Sequence, residues 1–110
     1  MGMYGEVEIY IEFKSKEATD KALDNLEANV IEHIKAELKD EPFSFDIAEV
    51  DGDGDSTGVI KICSDRIQNA EWRAQQIYNY LMENHKEDMV EFSADSITPT
   101  TILFWNEGDE

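Results

Sequence analysis

Between Phe13 and Lys16 the spacing of apolar residues changes from two to three and four. That switch constrains the fold more than any other feature of the chain. Before it, GEVEIYIEF (residues 5–13) puts Val7, Ile9, Ile11 and Phe13 on one side and Glu6, Glu8, Tyr10 and Glu12 on the other. Such alternation is the mark of a strand with one face buried. After it, Ala18, Ala22, Leu23, Leu26, Val30, Ile31, Ile34 and Leu38 recur at helical spacing. They predict an amphipathic helix from Lys16 to about Lys39. Ser15 is its expected N-cap and Pro42 its stop. The opposite side mixes Glu17, Asp20, Asp24, Glu27, Glu32 and Glu37 with Lys16, Lys21 and Lys35. Pairs such as Glu17–Lys21 stabilise a solvated helix surface, so this side reads as structural.

The same two periods recur downstream. FSFDIAEV (residues 43–50) alternates with Phe43, Phe45 and Ile47 on one side, and GVIKIC (58–63) makes a second short strand. The turn-rich DGDGDST between them predicts a hairpin. Asn69 or Asp65 is the expected cap of a second helix, whose buried stripe is Ala70, Ala74, Ile77, Tyr78, Leu81, Met82 and His85. MVEFSA (89–94) alternates again, and TTILFW after Pro99 is a fifth strand or an edge cover. Strand, helix, strand, strand, helix, strand is the order of an α+β, ferredoxin-like split βαβ sandwich. In it, two right-handed crossovers put both helices on one face of an antiparallel sheet. The 110 residues form a single domain, with residues 106–110 expected to fray.

Charge narrows the function. The formal net charge is −17, from 26 acidic and nine basic residues. Nucleic acid and anionic membranes both require a basic patch, so direct binding to either is excluded as an expectation. A basic protein or a cation is favoured. Adaptation to high salt is a poor explanation, because Lys outnumbers Arg seven to two and Ile is abundant. The lone Cys63 permits no internal disulfide and fits a reducing compartment. The N-terminus lacks the basic and apolar regions of a signal peptide, and no stretch approaches the roughly 20 apolar residues of a membrane span. A cytoplasmic protein is expected. A Lys-, Ile- and Asn-rich, Arg-poor composition suits an AT-rich genome, such as that of a phage or mobile element.

If the apolar side of the first strand faces the helices, Glu6, Glu8, Tyr10 and Glu12 face outward. Alternation adds Ser44, Asp46 and Ala48 from the second strand and Glu91, Ser93 and Asp95 from the fourth. Lys61 is the expected cation among them. Val50, Val59, Cys63 and Met89 are candidate apolar members of the same face. Like charges on neighbouring strands destabilise a sheet, so the face carries a cost that solubility alone does not require. Same-face residues on a strand recur about every 6.6 Å, close to the roughly 6–7 Å between successive phosphates of a nucleic-acid strand. A glutamate row therefore approximates a phosphate row.

Other chemistry is thinly supported. Asp51, Asp53 and Asp55 fill the first acidic positions of an EF-hand register, but Ser56 stands where glycine is needed and Ile62 where glutamate is needed. Aspartates in a glycine-rich turn explain the loop without a metal. His33 and His85 lack zinc spacing, and His85 near a helix C-terminus suits the macrodipole. No nucleophile–base arrangement or phosphate loop occurs, and no cofactor or catalytic role is expected. Trp72 and Trp105 are candidate interface anchors. The leading reading is a non-catalytic acidic protein-binding module, and in its sharpest form a nucleic-acid-mimicking inhibitor of a DNA- or RNA-binding, host-defence type protein. Its expected contact residues are Glu6, Glu8, Tyr10, Glu12, Asp46, Glu91 and Asp95. The alternatives are a homodimer formed through the sheet, in a structural or regulatory module, and a low-affinity divalent-cation site at the three aspartates.

Overall fold

The computed structural model describes residues 5–37, 44–51, 56–64, 67–96 and 101–109. Five strands, β1 (Gly5–Phe13), β2 (Ser44–Asp51), β3 (Ser56–Ser64), β4 (Met89–Ser96) and β5 (Thr101–Asn106), form one antiparallel sheet in the order β2-β3-β1-β4-β5. The first strand is thus central, and the segment after Pro99 is a true fifth strand paired to β4. The radius of gyration, 13.6 Å, is close to the ~13 Å of a compact globular domain of about 100 residues.

One face of the sheet is covered by helices. Val7, Ile9, Ile11 and Phe13 of β1 are fully buried, with Ile60 and Ile62 of β3 and Phe92 and Ala94 of β4 beside them. Above them lie α1 (Lys16–Leu26), a π-helical turn (Glu27–Ile31), α2 (Glu32–Glu37) and α3 (Ile67–Asn84). Ala22, Leu23, Leu26, Ile31, Ile34, Ala70, Ala74, Ile77 and Leu81 complete the core. The helices approach closely where β3 carries Gly58. A Cβ there would sit 3.2 Å from both Leu23 methyl carbons, so the missing side chain sets the seat of α1.

Ser15 caps α1 as expected: its Oγ accepts from the Ala18 N–H at 3.1 Å, and Thr19 Oγ1 donates back to the Ser15 carbonyl at 3.0 Å. The expected unbroken helix is instead interrupted by the π turn, and the apolar pattern supplies the reason. At ~100° per residue, Ala18, Ala22 and Leu23 fall within about 140° of helix surface, while on an ideal helix Ile31 would lie about 220° from Ala18. An i→i+5 turn takes in one extra residue and sets the following segment back by roughly 100°. Val30, Ile31 and Ile34 thereby return to the core, and all three are buried. The expected stop at Pro42 lies outside the described residues.

Three other expectations change. Asn69 lies within α3 rather than at its cap, and Asp65 is outside the described residues. Met89 is fully buried rather than on the open face. A bulge between Glu12 and Phe13 pairs Phe13 with Met89, leaving Val90 as the extra residue and turning Met89 inward. The tail expected to fray is held through Asp109. Asn106 pairs with Glu91, Glu107–Asp109 make a 3₁₀ turn, the Gly108 N–H donates to Asn106 Oδ1 at 2.7 Å, and Lys14 Nζ lies 3.4 Å from Glu107 Oε2.

Candidate functional site: the open face of the sheet

Strand pairing arranges the face away from the helices, which no described element covers, into three transverse rows. One runs Asp46, Lys61, Glu8, Asp95 and Thr101; the next Ala48, Val59, Tyr10, Ser93 and Phe104; the third Thr57, Glu12, Glu91 and Asn106. Glu6 adjoins the first row, opposite Cys63. The seven residues expected at the site, Glu6, Glu8, Tyr10, Glu12, Asp46, Glu91 and Asp95, therefore share one face. Their helix-facing neighbours are buried on β1 (Val7, Ile9, Ile11, Phe13) and β4 (Phe92, Ala94) and partly buried on β2 (Phe45, Ile47), which turns these side chains to the other side. Val59 and Cys63 are half-buried members of the face; the Val50 side chain lies outside what is described.

The carboxylates are not an even field. Glu8 faces Lys61 and Asp95 across β1, and its Oε2 lies 3.8 Å from Lys61 Nζ. That pair is solvent-screened and contributes on the order of 0–1 kcal/mol. Asp95 accepts from Thr101 Oγ1 at 2.8 Å and Ser93 Oγ at 3.2 Å. A bulge between Ala94 and Asp95 makes the first bond, because it places Thr101 rather than Ile102 beside Asp95. Glu91 accepts from Asn106 Nδ2 at 3.5 Å and stands directly opposite Glu12. Hydroxyl and amide donors thus hold two carboxylates in place without cancelling their charge.

The middle row was not foreseen as a unit. Tyr10 is 43% exposed and Phe104 52% exposed, and with Ala48 and Val59 they draw a largely apolar line, broken by Ser93 on β4, between two acidic rows. Tyr10 also breaks the glutamate series on β1, so the acids form two banks rather than one phosphate-like string. Alternation assigns each residue a face. It says nothing about which residues on different strands stand in one row, since that depends on register.

The remaining candidates lie elsewhere. Asp51 ends β2, while Asp53 and Asp55 are outside the described residues; among the described residues no group of three metal-ligating side chains occurs. Trp72 projects from α3 and is 59% exposed, with the Arg73 guanidinium carbon 4.1 Å from its ring centroid. Arg73 is buried, donates to Gln76 Oε1 at 2.9 Å and pairs with Glu37 Oε2 at 3.3 Å. Trp105 is half-buried against the core. It also walls a cavity of about 330 Å³ lined by Lys14, Lys86, Glu87 and Glu107. Among the described residues no nucleophile–base pair lines it.

His85 holds its expected place in the buried stripe, and that burial works against the charge that the macrodipole would favour. It is buried, and its Nε2 has no hydrogen-bond partner among the described residues. Burial holds its pKa below the usual histidine value, the Lys21 ammonium pushes the same way, and Asp88 opposes them. The unfolded chain therefore binds a proton more readily than the folded one. The stability due to neutral His85 is fully present above about pH 6.5 and is lost as pH falls below it. We expect the stability difference between wild type and His85→Gln to widen in favour of wild type from pH 5.5 to 7.5. Urea titrations at the two pH values check this; a difference that stays constant would mean His85 is solvated.

No family model and no curated protein matches the chain. Among solved structures it is similar to a de novo designed protein, Foldit4, with a TM-score of 0.68 at 16% identity, covering 88% of this chain and 99% of that one. At that identity the likeness is one of fold alone, a five-stranded antiparallel sheet with helices on one side.

Proposed function

We propose that this chain is a non-catalytic, acidic protein-binding module that docks through the open face of its sheet. In its most specific form it is an inhibitor that occupies the nucleic-acid-binding surface of a basic, host-defence type protein in the cytoplasm. The reading rests on one observation. Glu6, Glu8, Glu12, Asp46, Glu91 and Asp95 share a face with a single described cation, Lys61. Carboxylates set opposite one another oppose folding, so a face that keeps them has another use. Proteins that hold nucleic acid recognise phosphates by charge and position, and a fixed array of acids on a rigid sheet meets both demands. We read the β2-β3-β1-β4 core as the ferredoxin-like split βαβ arrangement, with β5 added at the edge. That arrangement leaves one sheet face bare for such a use.

The test is capture at low salt of basic proteins on the immobilised chain, eluted in one half by excess duplex DNA and in the other by raised salt. Release of a nucleic-acid-binding protein by DNA at constant ionic strength is the expected result. Release only by salt, of many basic proteins alike, would reduce the face to a nonspecific polyanion. Self-association has one observation in its favour, the exposed Tyr10 and Phe104. Stacking two such faces through that row sets acidic bank against acidic bank in either orientation, so charge disfavours it.

A further inference from the structure

The apolar row through the middle of the open face has no counterpart on a string of phosphates. We infer that this row is the seat of a basic amphipathic α-helix from the partner, laid along Ala48, Val59, Tyr10 and Phe104, passing over Ser93, with its cations over the two acidic banks. This rests on reading the face as a protein-binding surface, and it specifies the partner as one that reads nucleic acid with an inserted helix.

Three features carry it. The first is width. Glu8 and Glu12 flank Tyr10 on β1 four residues apart, which puts the banks about 13 Å from one another. A helix with its side chains is ~10–12 Å across. The DNA major groove that admits a recognition helix is about 12 Å wide. The second is length. The row crosses all five strands, about 19 Å at ordinary strand spacing, enough for roughly three and a half helical turns.

The third is the order of chemistries across the face: acidic, apolar, acidic. A helix with an apolar stripe and Lys or Arg on either side presents the complement in the same order. Tyr10 and Phe104, the exposed large apolar side chains among the described residues of the face, are the natural anchors under such a stripe. A partner that grips phosphates along a flat or channelled basic surface would leave both aromatics unused. A second copy of this chain would bring acids rather than cations to the banks.

The test uses two synthetic peptides of about fourteen residues and identical composition. One places leucines in a helical stripe bordered by lysines; the other has the same residues shuffled. Affinity is measured by fluorescence anisotropy for the wild type, for Tyr10→Ser/Phe104→Ser and for Glu8→Gln/Glu12→Gln. The patterned peptide is expected to bind wild type at least ~10-fold more tightly than the shuffled one. The aromatic double variant should erase that preference, and the glutamine variant should weaken both peptides. Equal binding of the two peptides, or a preference that survives loss of both aromatics, overturns the helix assignment. If the glutamine variant still weakens both peptides in that case, the broader reading of an acidic docking face stands. If it changes neither, that reading falls too.

Discussion

Reversing Glu6, Glu8 and Glu12 to lysine together is expected to weaken binding of a basic partner at least ~100-fold, through close charge pairs worth more than about 1 kcal/mol each. The fold should survive, because all three side chains project from the uncovered side of β1, away from Val7, Ile9, Ile11 and Phe13. Stability should hold or rise. Glu12 now opposes Glu91, and Glu8 opposes Asp95, so the reversals at these two positions turn a repulsive cross-strand pair into an attractive one, while Glu6 faces the uncharged Cys63. The gain at position 8 is partly offset, since a lysine there would face Lys61. Titration of the variant against the captured partner, with thermal melts of both proteins, checks the pair of outcomes. Unchanged affinity in a folded triple variant would remove the β1 glutamates from the site.

The second large effect concerns the other side of the sheet. Phe92→Ala should cost about 3–5 kcal/mol, as large-to-small changes in a core do. Phe92 is fully buried, pairs with Ile11 and Trp105, and meets the Tyr78 ring edge-on at 5.0 Å between centroids. Against a typical total of roughly 5–15 kcal/mol, that loss would leave much of the population unfolded under mild denaturant. Phe104→Ala, one strand away but on the open face, should stay within about 0.5 kcal/mol. Urea midpoints of the two variants make the comparison. A loss at Phe104 as large as that at Phe92 would mean that Phe104 is covered in solution, which is what a dimer through the sheet requires.

The contrast between these two phenylalanines marks how far the sequence could be read. Strict alternation in residues 5–13 assigns Val7 and Glu8 to opposite faces without help from the rest of the chain, and the acids that share a face with Glu8 follow by the same rule. Register does not follow. It depends on two bulges, and a bulge is one residue's difference in pairing that leaves no clear trace in composition. The bulge beside Glu12 sent Met89 inward against expectation, and the one beside Asp95 brought Thr101 to that carboxylate. Phe104 entered the apolar row only once β5 had a pairing partner, and its segment alone reads equally as strand or cover. The helix boundary failed for a related reason. Asn69 is a good capping residue by type, but α3 already begins at Ile67, two residues before it. His85 was legible as a member of the buried stripe but not in its charge, because the burial that lowers its pKa depends on what packs around it.

The π turn in the first helical run has a consequence for length variation. It holds one residue more than the α-helical geometry on either side needs, and Ala28 and Asn29 at its outer surface are exposed. A chain shortened by one residue there would close into regular α-helix with Leu26, Val30, Ile31 and Ile34 still facing the sheet. The same helix thus accommodates two chain lengths with one core, and the surplus residue can come and go without disturbing the strands beneath it.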